Sequence, residues 1–405
     1  MNKITFQYSS LTVHRSLLTI ILAFAFCIKA NAESTIENVL AQISKNNKTL
    51  QANAQYYEAQ KLKFKTGNTP GNPTVEYDFL SGSPANVGNQ HEFTIAQSFD
   101  FPTTYIKKGQ LVKTQSAQTE LQLTAARQDV LLEAKKYCIE LVYQNKLRAK
   151  LASQKQNTER ILADFQTKLD KGEGNILDLN KAKLQLIEIK KIFQENISAI
   201  NQLNQKLTEL NGGNEISLPD TIYPSHPVIP AFTQLEQDYE SADPLLKILQ
   251  QQKRITQKEL ELGKALSLPK MELGYHYQGN LGQTYKGIHT GISIPLWENK
   301  NTVKQKKAQL LFSDFELQAH VNEHYFHIKH IYEKYSNLKI TLEEYQTIFT
   351  TLNTTVLLNK ALALGEMTTI QYFTEINYYN NALTNYLQAE KEYYQTIADL
   401  YKYQL

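Results

Sequence analysis

The sequence predicts a mainly α-helical chain with a small β part, in which a helix–strand–strand–long helix–long helix unit is written twice. Three observations predict it: landmarks that recur at a fixed spacing, four short segments of alternating polarity, and arms without proline that are far longer than a globular helix. Phe99-Asp100-Phe101-Pro102 is answered by Ile292-Ser293-Ile294-Pro295, and Gly172-Glu173 by Gly365-Glu366, each pair 193 residues apart. Pro73-Thr74-Val75-Glu76 and Pro269-Lys270-Met271-Glu272 stand 196 apart, so one intervening loop differs by three residues. Landmarks in register at such a period indicate a tandem repeat. The units are 33–210 and 243–405, joined by a linker, 211–242, whose Gly212, Gly213 and run of prolines predict irregular structure.

Each unit opens on a helical segment (Thr35 to Phe64; Asp243 to Ala265) and continues into two strands, about 73–81 and 91–101 in the first, 269–279 and 286–296 in the second. Val75, Tyr77 and Phe79 share one face while Glu76 and Asp78 take the other. Phe93, Ile95, Phe99 and Phe101 oppose Glu92, Thr94, Ser98 and Asp100; Met271, Leu273, Tyr275 and Tyr277 oppose Glu272, Gly274, His276 and Gln278; Ile288, Ile292, Ile294 and Leu296 oppose His289, Gly291 and Ser293. A period of two over about ten residues suits a membrane barrel strand, with lipid on one side and water on the other. It also suits amphipathic hairpins of a soluble sandwich. Strand number separates the two, because four strands cannot close a barrel and lipid does not tolerate open edges. Either the hairpins pack on something else, or several chains pool their strands.

Helical hairpins follow, about 104–210 and 299–405. From Lys107 to Leu169 there is no proline and Gly109 is the only glycine; at about 1.5 Å per residue such an arm reaches about 100 Å. The return helix carries a heptad seam of Leu179, Ala182, Leu186, Ile189, Phe193, Asn196, Ile200, Leu203, Leu207 and Leu210, the signature of coiled-coil packing. Shifted by 193 the seam reads Tyr372, Glu375, Tyr379, Ala382, Tyr386, Ala389, Tyr393, Thr396, Leu400 and Tyr403. Tyrosine buries a ring and leaves its hydroxyl at a wet edge.

The N-terminus bears on compartment. Lys3 and Arg15 precede an apolar run from Leu17 to Ile28, and Ala30-Asn31-Ala32 offers a small-x-small cleavage site, so residues 1–32 read as a secretory signal peptide. Phe26 stands where a lipidated cysteine needs a small neighbour, so Cys27 is expected to leave with the signal. Lys3, Arg15 and Lys29 leave too, and no acid does, which takes the formal charge from +3 to zero. A neutral chain has no electrostatic footprint for nucleic acid. Cys138 then stands alone, which excludes an intrachain disulfide.

This order of parts resembles the TolC-type outer-membrane efflux channels, including the branch that serves metal and multidrug pumps. The resemblance rests on the strand pairs ending Phe101-Pro102 and Ile294-Pro295 and on two helical turns, Lys171-Gly172-Glu173-Gly174-Asn175-Ile176-Leu177-Asp178-Leu179 and Leu364-Gly365-Glu366-Met367-Thr368-Thr369-Ile370-Gln371-Tyr372-Phe373. It implies a homotrimer, twelve pooled strands in the lipid of the outer membrane, and a long α-helical barrel in the periplasm. Its implied partners are a periplasmic adaptor and an inner-membrane pump. The chain would conduct passively, with no cofactor and no bond made or broken. By the same resemblance Gly172, Glu173, Gly174, Gly365 and Glu366 form adaptor-docking tips. Its pore acids map onto Asp178 and Lys181 in the first copy and Gln371 and Thr374 in the second, with Glu375 one residue on. Asp178, Gln371 and Glu375 are thus the candidate constriction, although only Asp178 is an acid at a matching position. Glycine equally serves any turn between antiparallel helices, and Glu173 and Glu366 also read as solvated charges.

His320, His324, His327 and His330 share one helical face at spacings that could reach a metal. The repeat favours packing instead, since His324 and His327 answer Leu131 and Ala134, which share a stripe with Cys138 and Leu141; no resident metal is expected. There is no Gly-x-Ser-x-Gly elbow, phosphate-cradling loop, His-Glu-x-x-His or cysteine pair, and the expectation is no enzyme. The alternative from another class is an exported coiled-coil structural or adaptor protein without its own channel. An adaptor carries one hairpin rather than two, and a structural coiled coil has no use for alternating strands.

Overall fold

The computed structural model describes residues 35–405. The expected signal peptide, with Lys3, Arg15 and Cys27, lies outside the described residues. Two short helices come first, α1 (Ile36–Asn46) and α2 (Lys48–Lys65), then strands β1 (Thr74–Leu80) and β2 (Gln90–Phe99). The arm α3 (Pro102–Asp170) runs 69 residues without a break, about 100 Å at the α-helical rise. Pro102 sits in its first turn, where its missing N–H would have had no partner. Helix α4 (Ile176–Leu210) returns along it.

The same order recurs with differences. The segment expected to be irregular to 242 becomes helical at α5 (Phe232–Ala242), because Leu235 and Tyr239 find a core to bury in. Helix α6 (Pro244–Ala265), strands β3 (Lys270–Asn280) and β4 (Gln283–Ser293) follow. Strand β4 ends at Ser293, so Ile294, Pro295 and Leu296, placed in the strand by the sequence reading, lie in the loop beyond it. The second arm is not continuous: α7 (Thr302–Thr351) breaks at Leu352-Asn353 before α8 (Thr354–Leu364), and α9 (Thr369–Leu400) returns. The cause is local. Hydroxyls of Thr347, Thr350 and Thr351 bond back to the carbonyls of Glu343, Thr347 and Ile348 at 2.8, 3.0 and 2.8 Å, and such back-bonding by β-branched residues weakens a helix.

The four strands form one antiparallel sheet in the order β1-β2-β3-β4, so β2 and β3 join the halves and β1 and β4 are left as edges. The register stacks like with like. Val75, Ile95, Tyr275 and Ile288 form one row across all four strands, and Glu76, Thr94, His276 and Gly287 form the adjacent row on the other face. Among the described residues nothing covers the apolar face: Val75 is 63% exposed and Ile288 78%. The sheet is a single layer whose principal contacts are among its own strands. That is no soluble sandwich.

The core lies halfway along α3. Leu131, Ala134, Cys138, Leu141 and Val142 pack against Ile36, Val39 and Ile43 of α1, Ile200 and Leu207 of α4, and Ile216, Leu218 and Tyr223 of the linker. Burial pushes the Cys138 thiol up to about 12, leaving it unreactive. The N-terminal helices abut the end of α4. Asn46 Nδ2 donates to Asn211 Oδ1 (3.0 Å) and Asn47 Nδ2 to the Leu210 carbonyl (2.8 Å). Gly212 (φ +67°) allows the approach, since a Cβ there would stand 2.4 Å from the Asn46 carbonyl oxygen. Thus α3 packs on α4 toward the turn and on α2 and α6 toward the sheet.

Candidate functional site

The two helical turns are built alike. After α3, Gly172 (φ +76°) donates its N–H to the Leu169 carbonyl and Glu173 to that of Lys168, both at 2.9 Å. After α8, Gly365 (φ +75°) donates to Leu362 at 3.2 Å and Glu366 to Ala361 at 3.0 Å. Both are Schellman turns, which require a left-handed residue where glycine stands. Gly174 is held for a different reason: a Cβ there would stand 2.6 Å from the Leu169 nitrogen. Glu173, Glu366 and Gly172 are exposed, as are the apolar side chains of Ile176, Leu177, Leu364 and Ile370 around them.

The three constriction candidates do not form one cluster of free acids. Asp178 is half-buried and stands 3.9 Å from Lys181. Gln371 is engaged locally: its side chain accepts from the Thr368 N–H at 2.8 Å while its own N–H donates to Thr368 Oγ1 at 3.2 Å, a capping box for α9. Glu375 is exposed.

A contact that sequence reading missed joins the two hairpins behind the tips. Tyr372, 1% exposed, donates its hydroxyl to Asn359 Oδ1 and accepts from Asn157 Nδ2, each at 2.8 Å. Gln185 and Asn377 add a second link, Gln185 Nε2 donating at 3.1 Å. Tyr372 was visible as a seam residue, but its partners lie on α3 and α8, and no local signal names them. Apolar packing here is a small cluster around Ile161, Ala182, Tyr372, Phe373 and Ile376.

The histidine run divides. His320 and His324 turn toward Asp243, their Nε2 atoms 3.9 and 3.7 Å from its Oδ2. Both Nε2 atoms are buried, with no hydrogen-bond partner among the described residues. Burial lowers the His324 pKa below its ordinary value, Asp243 opposing. His327 and His330 are exposed. No group of three or more His, Cys, Asp or Glu among the described residues is placed to hold a metal ion. On the polar face of the sheet, Glu272 accepts from Ser98 Oγ (2.9 Å) and faces His289 Nε2 (3.0 Å), and Thr94 Oγ1 meets His276 Nδ1 (2.8 Å). None of the described helices is long and apolar enough to cross a membrane.

No family model matches the chain, and no curated protein does. Solved structures do match along nearly its whole length. The CmeC outer membrane channel of Campylobacter jejuni is 15% identical, with 91% of this chain and 85% of that one covered and a TM-score of 0.69. CusC, solved in states accompanying folding and transmembrane channel formation, is 14% identical with 92% of each chain covered and a TM-score of 0.70. The outer membrane protein VceC of Vibrio cholerae is 10% identical, covering 91% of this chain and 94% of that one, also at 0.70. The chain has the fold of the TolC-type outer-membrane channels.

Proposed function

We propose that this protein is the outer-membrane channel of a tripartite efflux system, conducting passively from an inner-membrane pump and a periplasmic adaptor to the outside. One observation carries the reading: a single-layer sheet with an apolar face, a polar face and two edges unpaired among the described residues, set at the end of helical hairpins whose longest arm reaches about 100 Å. Edges of that kind persist in lipid only if they pair. Three copies, each β4 pairing with the next copy's β1, close twelve strands with the apolar rows outward and Glu76, Thr94 and His276 inward. The helices then pool into a tunnel reaching the periplasm. The two units arose by duplication, and residues 1–32 direct export and are removed from the mature chain.

In this assembly the Schellman turns at Gly172 and Gly365 lie at the far mouth, where the exposed Ile176, Leu177, Leu364 and Ile370 dock an adaptor beside Glu173 and Glu366. The Asn157–Tyr372–Asn359 bonds hold the hairpins together just behind that mouth, with Asp178 and Glu375 nearby. Such a duct has no need of a catalytic residue.

The test is to extract the outer-membrane fraction in mild detergent and measure mass and electrophoretic migration with and without boiling. A heat-sensitive complex of three chains is expected. A soluble periplasmic monomer sinks the reading and leaves the exported coiled-coil scaffold in its place.

A further inference from the structure

The two ends of the sheet differ sharply in charge. The turns at one end, residues 81–89 and 281–282, contain no charged residue. At the other end, the sixteen residues flanking each strand (58–73, 100–115, 254–269 and 294–309) hold thirteen lysines and arginines against five acids. Excluding residues 1–32, the formal charges of the chain cancel, so this is a local concentration.

All five acids are already paired. Glu58 meets Lys61, Asp100 meets Lys108, Glu259 meets Lys306, Glu261 meets Lys107 and Lys258, and Glu298 meets Lys270. Two of these pairs, Lys107–Glu261 and Lys306–Glu259, tie neighbouring helices, and Lys107 and Lys258 hold the Glu261 carboxyl down to about 2. Five of the thirteen cations are thereby used. The other eight, among them Arg254, Lys300, Lys304 and Lys307, make no ion pair among the described residues, and all eight are exposed. A second feature sits among them. Trp297, the only tryptophan, is 80% exposed in the loop between β4 and Lys300. Tryptophan prefers the boundary between hydrocarbon and headgroups, and lysine stems extend from apolar surface to reach it.

We infer that this basic collar, with Trp297, is a docking surface for anionic phospholipid headgroups in the leaflet on the helical side of the sheet. The inference rests on the sheet being membrane-inserted, as proposed above. Phosphate oxygens supply the acceptors that the protein withholds from eight cations, and basic clusters beside a membrane segment attract anionic lipid in this way. The neutral turns give the opposite leaflet no such hold, so the collar also fixes how deep the sheet sits and which way round.

The test reconstitutes the mature chain into vesicles of phosphatidylcholine alone or with one part in four phosphatidylglycerol. Lipid retained by the extracted complex is weighed by native mass spectrometry, and Trp297 emission is followed with lipids brominated near the headgroup. The wild type is expected to enrich phosphatidylglycerol at least about threefold over the bulk ratio, less so at high salt, with Trp297 quenched. The triple variant K300Q/K304Q/K307Q, which breaks no ion pair, is expected to lose most of that enrichment while remaining heat-modifiable. Insertion without enrichment, or equal enrichment in the variant, overturns the collar and leaves the channel intact. So does a variant that alters only the ion selectivity of the pore, since the lysines would then face the tunnel. Failure of the wild type to insert in either vesicle removes the channel reading itself.

Discussion

The two helical hairpins follow one plan and are packed by different means. In the first, α3 is unbroken and the seam of α4 is aliphatic, with Leu179, Leu186, Ile189, Ile200 and Leu207 all buried. In the second, the arm breaks at Leu352-Asn353 and the seam of α9 is a ladder of tyrosines, Tyr372 buried and Tyr379, Tyr386 and Tyr393 half-buried. Tyr386 packs on Tyr345 and Phe349 at centroid distances of 5.8 and 5.6 Å, and Tyr393 stacks on Tyr335 at 5.5 Å. An aliphatic seam excludes water and resists separation. A tyrosine seam leaves hydroxyls to be satisfied one by one, so the second hairpin is expected to part from its neighbours at lower cost than the first.

Removing seam atoms gives the largest contrast. Leu207, fully buried in the central core, is expected to cost about 2–5 kcal/mol as L207A, the range for a cavity in a packed core. Tyr386→Ala removes a larger side chain from a wetter site and is expected to cost only about 1 kcal/mol. Urea midpoints of the extracted protein, followed by alkylation of Cys138 as its core opens, measure both. Equal costs would mean that the tyrosine seam is as dry as the aliphatic one, and the comparison would fall.

A finer test takes one bond. Tyr372 answers Leu179 in the first copy, and both are buried, at 1% and 2% exposure. Only the tyrosine holds partners, Asn157 and Asn359. Y372F keeps the ring and strands two half-buried amides, an expected loss of about 1 kcal/mol, at the low end because water can reach them. In planar bilayers the variant is expected to conduct more often, since the hairpins have lost a bond near the mouth. Unchanged conductance would leave Tyr372 a packing residue like its aliphatic counterpart.

How much of this was legible follows the range of the forces involved. A mainly helical chain with four short strands could be read because alternation and proline-free length are local. The turns at Gly172 and Gly365 could be read because a left-handed residue after a helix asks for glycine whatever lies beyond. Helix α5 could not: Phe232, Leu235 and Tyr239 form a helix face only once a core exists to receive it, and the proline-rich stretch before them suggested a loop. The break at Leu352-Asn353 could not be read either, since a count of prolines and glycines shows nothing there. The bonds of Tyr372 and the turn of His320 and His324 toward Asp243 join residues far apart in sequence, and no spacing rule predicts them. Gln371 shows the reverse case: a resembling motif drew attention to it, while its use in a capping box with Thr368 went unread.

The smallest effect concerns pH and again sets one copy against the other. His324 stands where the first copy has Leu131, and its side chain is 9% exposed. Burial lowers its folded pKa below the ordinary 6.5, with Asp243 only partly opposing. The sign follows from linkage. As pH falls through 6.5 the unfolded chain takes up a proton that the folded chain still refuses, so the unfolded state binds more protons and stability drops. The loss grows until the folded imidazole is itself protonated and is constant below that. His324→Leu, which installs the first copy's residue, is expected to flatten this component, so the gap between variant and wild-type urea midpoints should widen from pH 7.5 to pH 5. His320, Glu323 and His327 of the same helix, with Asp243, Asp399 and Lys402 across the cleft, face the same site and are unchanged by the substitution. A gap that stays constant would mean that His324 keeps its ordinary proton affinity and that water reaches it. The second hairpin would then be wet even where its counterpart is driest.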